Sequence, residues 1–145
     1  MREILFRGKR VDNGEWVYGA FCPDLLEIED GREVDWGFIR TYNKITYKME
    51  MIAVDRKTVG QDTNLKDKNG NKIFEGDIVK YNWDNSWCTD NKFHIETCIV
   101  EYLQYGFKPF IEDYDCDDGY YSYNIDFNSI EIIGNIHDNK NLIGE

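Results

Sequence analysis

The 145-residue sequence predicts a mainly β protein with little helix, built as a small β subdomain over 1–72 followed by a small barrel or roll over 73–145. Three observations predict it. The chain holds 16 Ile, 7 Val and 22 aromatic residues but only 6 Leu and 2 Ala. β-Branched and aromatic side chains suit a pleated, half-buried surface, whereas the best helix formers are the ones in short supply. Apolar runs are short and are separated by Asn, Asp and Gly at turn-like intervals. Finally, the charge balance changes partway along the chain. Residues 1–72 carry 13 basic and 13 acidic side chains, and residues 73–145 carry 4 basic and 15 acidic, so the entire net charge of −11 lies in the second part.

The elements follow in order. Residues 4–9 read as a first strand, and Asp12-Asn13-Gly14 as the hairpin turn after it, because Asn and Gly tolerate positive φ. Residues 15–21 alternate, with Trp16, Tyr18 and Ala20 on one face and Val17 and Phe21 on the other. Strands over 37–42 and 48–54 come next, with turns at Asp30-Gly31 and Asn43-Lys44. The polar segment 66–72, containing Asn69-Gly70, is a turn-rich connector and marks the subdomain boundary. A new sheet begins over 73–81 and continues through strands at 97–103, 107–112 and 130–136. Helix signals amount to single turns at 123–128 and at 138–142, the latter capped by Asp138.

Composition narrows the function classes. An acidic second half repels phosphate backbones and anionic membranes, so direct nucleic-acid binding by it is unfavourable. With 41% hydrophobic and 15% aromatic residues the chain is a folding one, not a disordered acidic tail. The charged N-terminus argues against a secretory signal, and no apolar run of about 18 residues exists for a membrane span. A cytosolic chain is therefore expected, with Cys22, Cys88, Cys98 and Cys116 as reduced thiols. None of them forms a C-x-x-C pair, and Cys88, His94 and Cys98 lack zinc spacing and a fourth ligand.

Catalytic chemistry has no positive signal. Neither His94 nor His137 stands in a nucleophile motif, and the glycines form no phosphate loop, so no catalytic residue, cofactor or metal ligand is assigned. The run from Asp113 to Gly119 resembles a calcium loop until its register is tested. From Asp113, the sixth position is Asp118 instead of Gly and the twelfth is Asn124 instead of Glu. A solvated acidic loop is the simpler reading. Acid and aromatics together suggest another use: Glu112, Asp113, Asp115, Asp117 and Asp118, with Tyr120 and Tyr121, make a surface suited to a basic protein partner. Trp83 and Trp87 could serve as further exposed anchors, and all of these aromatics could instead cover a small core.

Three segments carry a resemblance: 4–9 (ILFRGK), 59–79 (VGQDTNLKDKNGNKIFEGDIV) and 130–139 (IEIIGNIHDN). Together, in order and over nearly the whole chain, they resemble the YopX family of phage and prophage proteins. The resemblance implies a mainly β protein whose C-terminal part is an SH3-like barrel, made in the cytoplasm of a bacterial host. It implies no activity and no catalytic residues. The recurrent residues also have structural uses, with Asn69-Gly70 as a tight turn, Gly76-Asp77 opening a strand and Gly134 at a bulge or close approach. The expectation is a non-enzymatic accessory protein that binds a basic host or phage protein, in the extreme as a mimic of a DNA phosphate surface. The alternatives are a carboxylate-dependent metal-binding hydrolase and a structural subunit that forms a homo-oligomer through open sheet edges.

Overall fold

The structure is a computed structural model that describes residues 4–22, 36–84, 93–103, 106–110 and 124–143. The chain divides into two compact units, Met1–Asp62 and Thr63–Glu145. Of the described residues 67% lie in strands, and helix is limited to two short 3-10 turns at Phe127–Ser129 and Lys140–Ile143, so the protein is mainly β.

The first unit is a meander that returns on itself. Strands β1 (Phe6–Arg10), β2 (Trp16–Cys22) and β3 (Trp36–Asn43) pair antiparallel in succession, and β3 pairs with the start of β4 (Lys48–Lys66). β4 then pairs with β1 as well, which closes the circuit. Closing four strands requires a sharp change of direction, and β4 supplies it as a bulge. Phe6 and Arg7 face Gln61 and Gly60, but Lys9 and Arg10 face Asp55 and Val54. The extra residues of β4 loop out and are held by Thr58, whose hydroxyl donates to the Asp55 carbonyl at 2.6 Å and accepts from the Lys9 N–H at 2.8 Å.

Inside the circuit lie fully buried Ile39 and Val54, with the Phe6 and Phe21 rings 5.9 Å apart. Glycine makes this tight interior fit. A Cβ on Gly37 would come within 2.7 Å of the Phe21 ring, and one on Gly19 would collide with the Arg40 carbonyl oxygen. The opposite face of β2 carries Trp16, Tyr18 and Ala20, as the alternation predicts. Between β1 and β2, Gly14 has φ 73°, its N–H donates to the Arg10 carbonyl at 2.9 Å, and Asn13 Oδ1 accepts from the Glu15 N–H at 2.9 Å. The turn expected at Asp30-Gly31 lies outside the described residues.

In the second unit the end of β4 pairs with β5 (Lys72–Phe74), and the 66–72 segment is the turn between them. β6 (Asp77–Asp84) is the central strand of a second sheet. One edge pairs with β7 (Phe93–Ile99), and the other with β11 (Glu131–Asn135) and β10 (Asn124–Ile125). β8 (Glu101–Leu103) and β9 (Gly106–Lys108) form a separate ribbon. The core consists of Ile73, Val79, Tyr81, Val100 and Ile130, with Leu65, Trp83, Phe107 and Phe110 packed against it. Each such buried side chain contributes about 1.5–3 kcal/mol. Trp83 thus belongs to the core margin and is not an exposed anchor; Trp87 lies outside the described residues.

Candidate functional site

Every residue of the acidic, tyrosine-rich candidate surface, Glu112, Asp113, Asp115, Asp117, Asp118, Tyr120 and Tyr121, lies outside the described residues. The described residues still hold carboxylates, histidines and thiols of the kinds that carry chemistry.

Two buried carboxylates are occupied by the fold. Asp67 is buried and works as a clamp. Its Oδ1 accepts from the N–H groups of Asn69 at 3.0 Å and Asn71 at 2.9 Å, while Oδ2 accepts from the Ile132 N–H on β11 at 3.2 Å. One carboxylate thus fixes the β4–β5 turn, with Gly70 at φ 84°, and ties it to the closing strand. Burial pushes the Asp67 carboxyl up, but the N–H groups of Asn71, Ile132 and Asn69 outweigh it and hold it below its ordinary value. Asp77 is buried too, and its Oδ2 accepts from the Phe74 N–H at 2.7 Å. That contact closes the turn whose Gly76 donates its N–H to the Val100 carbonyl and whose Gly76 carbonyl accepts from Ile136. Asn135 likewise organises the end of β11, accepting from the N–H groups of His137 and Asp138. Gly134 sits at the β11 bulge, where a Cβ would press within 2.7 Å of the Asn139 side chain.

Cys98 is half-buried, and its thiol donates weakly to the Ile99 carbonyl at 3.4 Å. Burial raises its pKa, with Lys108 opposing and Glu96 and Glu101 adding to the rise, so it is a poor nucleophile at neutral pH. Cys88 lies outside the described residues. Among the described residues no three His, Cys, Asp or Glu side chains gather as a metal site. No helix of the described residues is long and apolar enough to cross a membrane.

What the fold does not consume is the outer face of the β3–β4 hairpin. Arg40 pairs with Met51 and Tyr42 with Met49, and Ala20 and Tyr18 continue the same face across β2. Tyr42, Met49 and Met51 are each 50% exposed, and Tyr18 is nearly so. At the tip, Ile45 is 88% and Tyr47 78% exposed. The tip has a defined geometry. Asn43 Oδ1 accepts from the N–H groups of Ile45 at 2.8 Å and Thr46 at 3.1 Å, and Asn43 Nδ2 donates to Glu50 Oε1 at 2.8 Å. Tyr47 is held at φ 56°, a left-handed conformation that costs a bulky side chain about 1 kcal/mol or more. Among the described residues of the second unit, the exposed large apolar side chains are Ile95, Tyr102, Leu103, Phe127, Ile133 and Leu142, with the Phe127 ring 6.3 Å from that of Phe110.

Tyr, Met and Arg are the residue types enriched where proteins meet, and Lys and Glu are depleted there. The hairpin face has that composition. Sequence alternation placed Tyr18 and Ala20 on one side of β2, but it singled out none of Arg40, Tyr42, Ile45, Tyr47, Met49 and Met51. Both faces of this hairpin carry apolar residues, so period-2 reading does not say which is buried.

Comparison with known proteins agrees with this picture of the fold. A crystal structure of protein EF1440 from Enterococcus faecalis is similar over 99% of this chain and 99% of its own, with a TM-score of 0.50 and 23% sequence identity. At that identity the likeness speaks for the fold alone. No curated protein matches the chain. The family profile described as YopX protein matches residues 5–144, and with nearly the whole chain covered, the protein belongs to the YopX family.

Proposed function

We propose that this YopX protein is an accessory protein of a phage or prophage that acts in the bacterial cytoplasm by binding other proteins, without chemistry of its own. The observation that carries the reading is the exposed Tyr-Met-Arg face of the β3–β4 hairpin. It is a laterally continuous apolar surface on a braced tip, and surfaces of that kind mark interaction sites. Asp67, Asp77 and Asn135, by contrast, are engaged as turn clamps.

The acidic run Glu112–Asp118, with Tyr120 and Tyr121, offers a second surface, suited by charge to a basic host or phage protein. A partner that normally grips nucleic acid would meet in it a stand-in for a phosphate backbone. The test is capture from host lysate by the immobilised chain, compared with Tyr42→Glu/Met49→Ser and with Asp115→Asn/Asp117→Asn/Asp118→Asn. A captured protein should be lost with one of these variants at unchanged unfolding midpoint, and one held by the acidic run should also be displaced by duplex DNA. Capture of nothing, or capture indifferent to both sets of changes, would overturn the proposal.

A further inference from the structure

The chain has three methionines, and two of them, Met49 and Met51, stand on the hairpin face. As alternate residues of β4 they leave the sheet on the same side, paired with Tyr42 and Arg40 of β3, and each is 50% exposed. Glu50 between them belongs to the other face, where it accepts from Asn43 Nδ2 at 2.8 Å. Two thioethers are thus open to solvent within one apolar surface, and neither is part of the buried core. A thioether has no proton to lose, so its sulfur lone pairs are available at any physiological pH. A thiol, by contrast, reacts as its thiolate. Cys98 is half-buried and burial pushes its thiol up, so it stays protonated and slow toward an oxidant.

We propose that Met49 and Met51 make the β3–β4 hairpin face peroxide-sensitive: oxidation of both thioethers to sulfoxides turns the face polar and releases an apolar partner, with the fold left intact. The inference rests on the reading that this face binds proteins, and it adds how that binding is regulated. The step balances with hydrogen peroxide as the oxidant. Sulfur takes one oxygen atom, the O–O bond breaks as the S–O bond forms, sulfur is oxidised by two electrons, and the peroxide leaves as water. The product is a polar, chiral side chain with a strong hydrogen-bond acceptor. In solvent that acceptor is satisfied by water, so a strand face that is already exposed tolerates it. Against an apolar partner it must be stripped of water, which weakens the contact by about tenfold for each sulfoxide left without a donor. Reductases that act on the sulfoxide epimers regenerate the thioether, so the change is reversible.

Treatment of the intact chain with hydrogen peroxide tests this, with peptide mass spectrometry reading Met49 and Met51 against Cys22 and Cys98. Both methionines should gain one oxygen atom, at close to the rate they show in urea. The circular dichroism spectrum and the unfolding midpoint should not change. Partition onto a phenyl resin, the apolar probe, should fall by about tenfold or more and recover after treatment with methionine sulfoxide reductases. Met49→Leu/Met51→Leu should bind the resin as the native chain does and keep that binding through peroxide. Methionines shielded from peroxide until the chain unfolds, a midpoint that falls on oxidation, or partition indifferent to oxidation overturns the proposal. Lysate capture separates the two readings. A native chain that captures nothing refutes protein binding, and the resin still decides the response to peroxide. A partner held equally by the native and the oxidised chain overturns the regulation and leaves protein binding standing.

Discussion

Both units use polar side chains to hold turns and bulges, and they differ in where their apolar side chains are left in solvent. In the second unit, buried carboxylates are structural: Asp67 joins the β4–β5 turn to β11, and Asp77 closes the turn that leads into β6. Among the described residues, its buried apolar side chains gather in a cluster that includes Val79 and Val100. In the first unit the circuit of four strands is small enough to need glycine at Gly19 and Gly37, and its outer face keeps tyrosine and methionine in solvent. The contrast separates what the family motif is for from where this protein meets others. A residue that clamps a turn locates the fold, and exposed surface that no clamp requires is the place to look for binding.

Four substitutions press on that contrast. The largest effect is expected at Ile73, fully buried in the second unit's core, where Ile73→Ala should cost about 2–5 kcal/mol in urea unfolding through lost contacts and a cavity. A cost under 1 kcal/mol would mean that this cluster does not hold the unit together. Asp67→Asn comes next, at about 1.5–3 kcal/mol, because it turns an amide N–H₂ toward backbone donors that the carboxylate accepts from. Since the folded carboxyl lies below its ordinary value of 3.8, its stabilisation is complete above that value and is lost as pH falls through the lower folded one. The difference between wild type and Asp67→Asn should therefore be constant from pH 5 to 7 and shrink in acid; a gap that grows on acidification would reverse the assignment.

Gly19→Ala sharpens the comparison from the other unit. The added methyl meets a backbone carbonyl, not a flexible side chain, and should cost about 1–3 kcal/mol. Hydrogen exchange should show the loss of protection in β1, β2 and β3, with β6 and β7 protected as before. Equal loss in both would mean that the two compact units open together. The smallest effect belongs to the exposed face: Met49→Ser should change unfolding free energy by no more than about 0.5 kcal/mol. A larger cost would show that Met49 is part of the packing and not a free surface.

Much of the architecture could be read from residue order. Alternation placed Trp16 and Tyr18 opposite Val17, Asn13-Gly14 and Asn69-Gly70 announced their turns, and the single turns expected at 123–128 and 138–142 overlap the 3-10 turns at Phe127–Ser129 and Lys140–Ile143. The second half of β4 did not show itself. Its sequence from Asp55 to Lys66 is polar and holds Gly60, because this stretch bulges at Thr58 and takes its stability from pairing with β1, a partner far away in sequence. The strand at 97–103 divides at Val100, whose N–H turns aside to the Asp77 carbonyl; no local pattern encodes that junction. The hairpin face was hidden for a different reason. Exposure is a property of which face the circuit encloses, and Tyr42 and Met51 suit a buried strand face as well as an exposed one.

β4 also has a consequence for how the chain acquires its structure. β1 leaves the ribosome early, yet its second partner, the 54–61 stretch of β4, follows about fifty residues later. Until then the first strand has only β2 beside it, and closing so long a loop is slow relative to hairpin formation. The same strand then runs on into the pairing with β5. The first unit is thus completed by the stretch of synthesis that leads into the second, and a nascent chain stalled before Val54 would hold a sheet with an open edge.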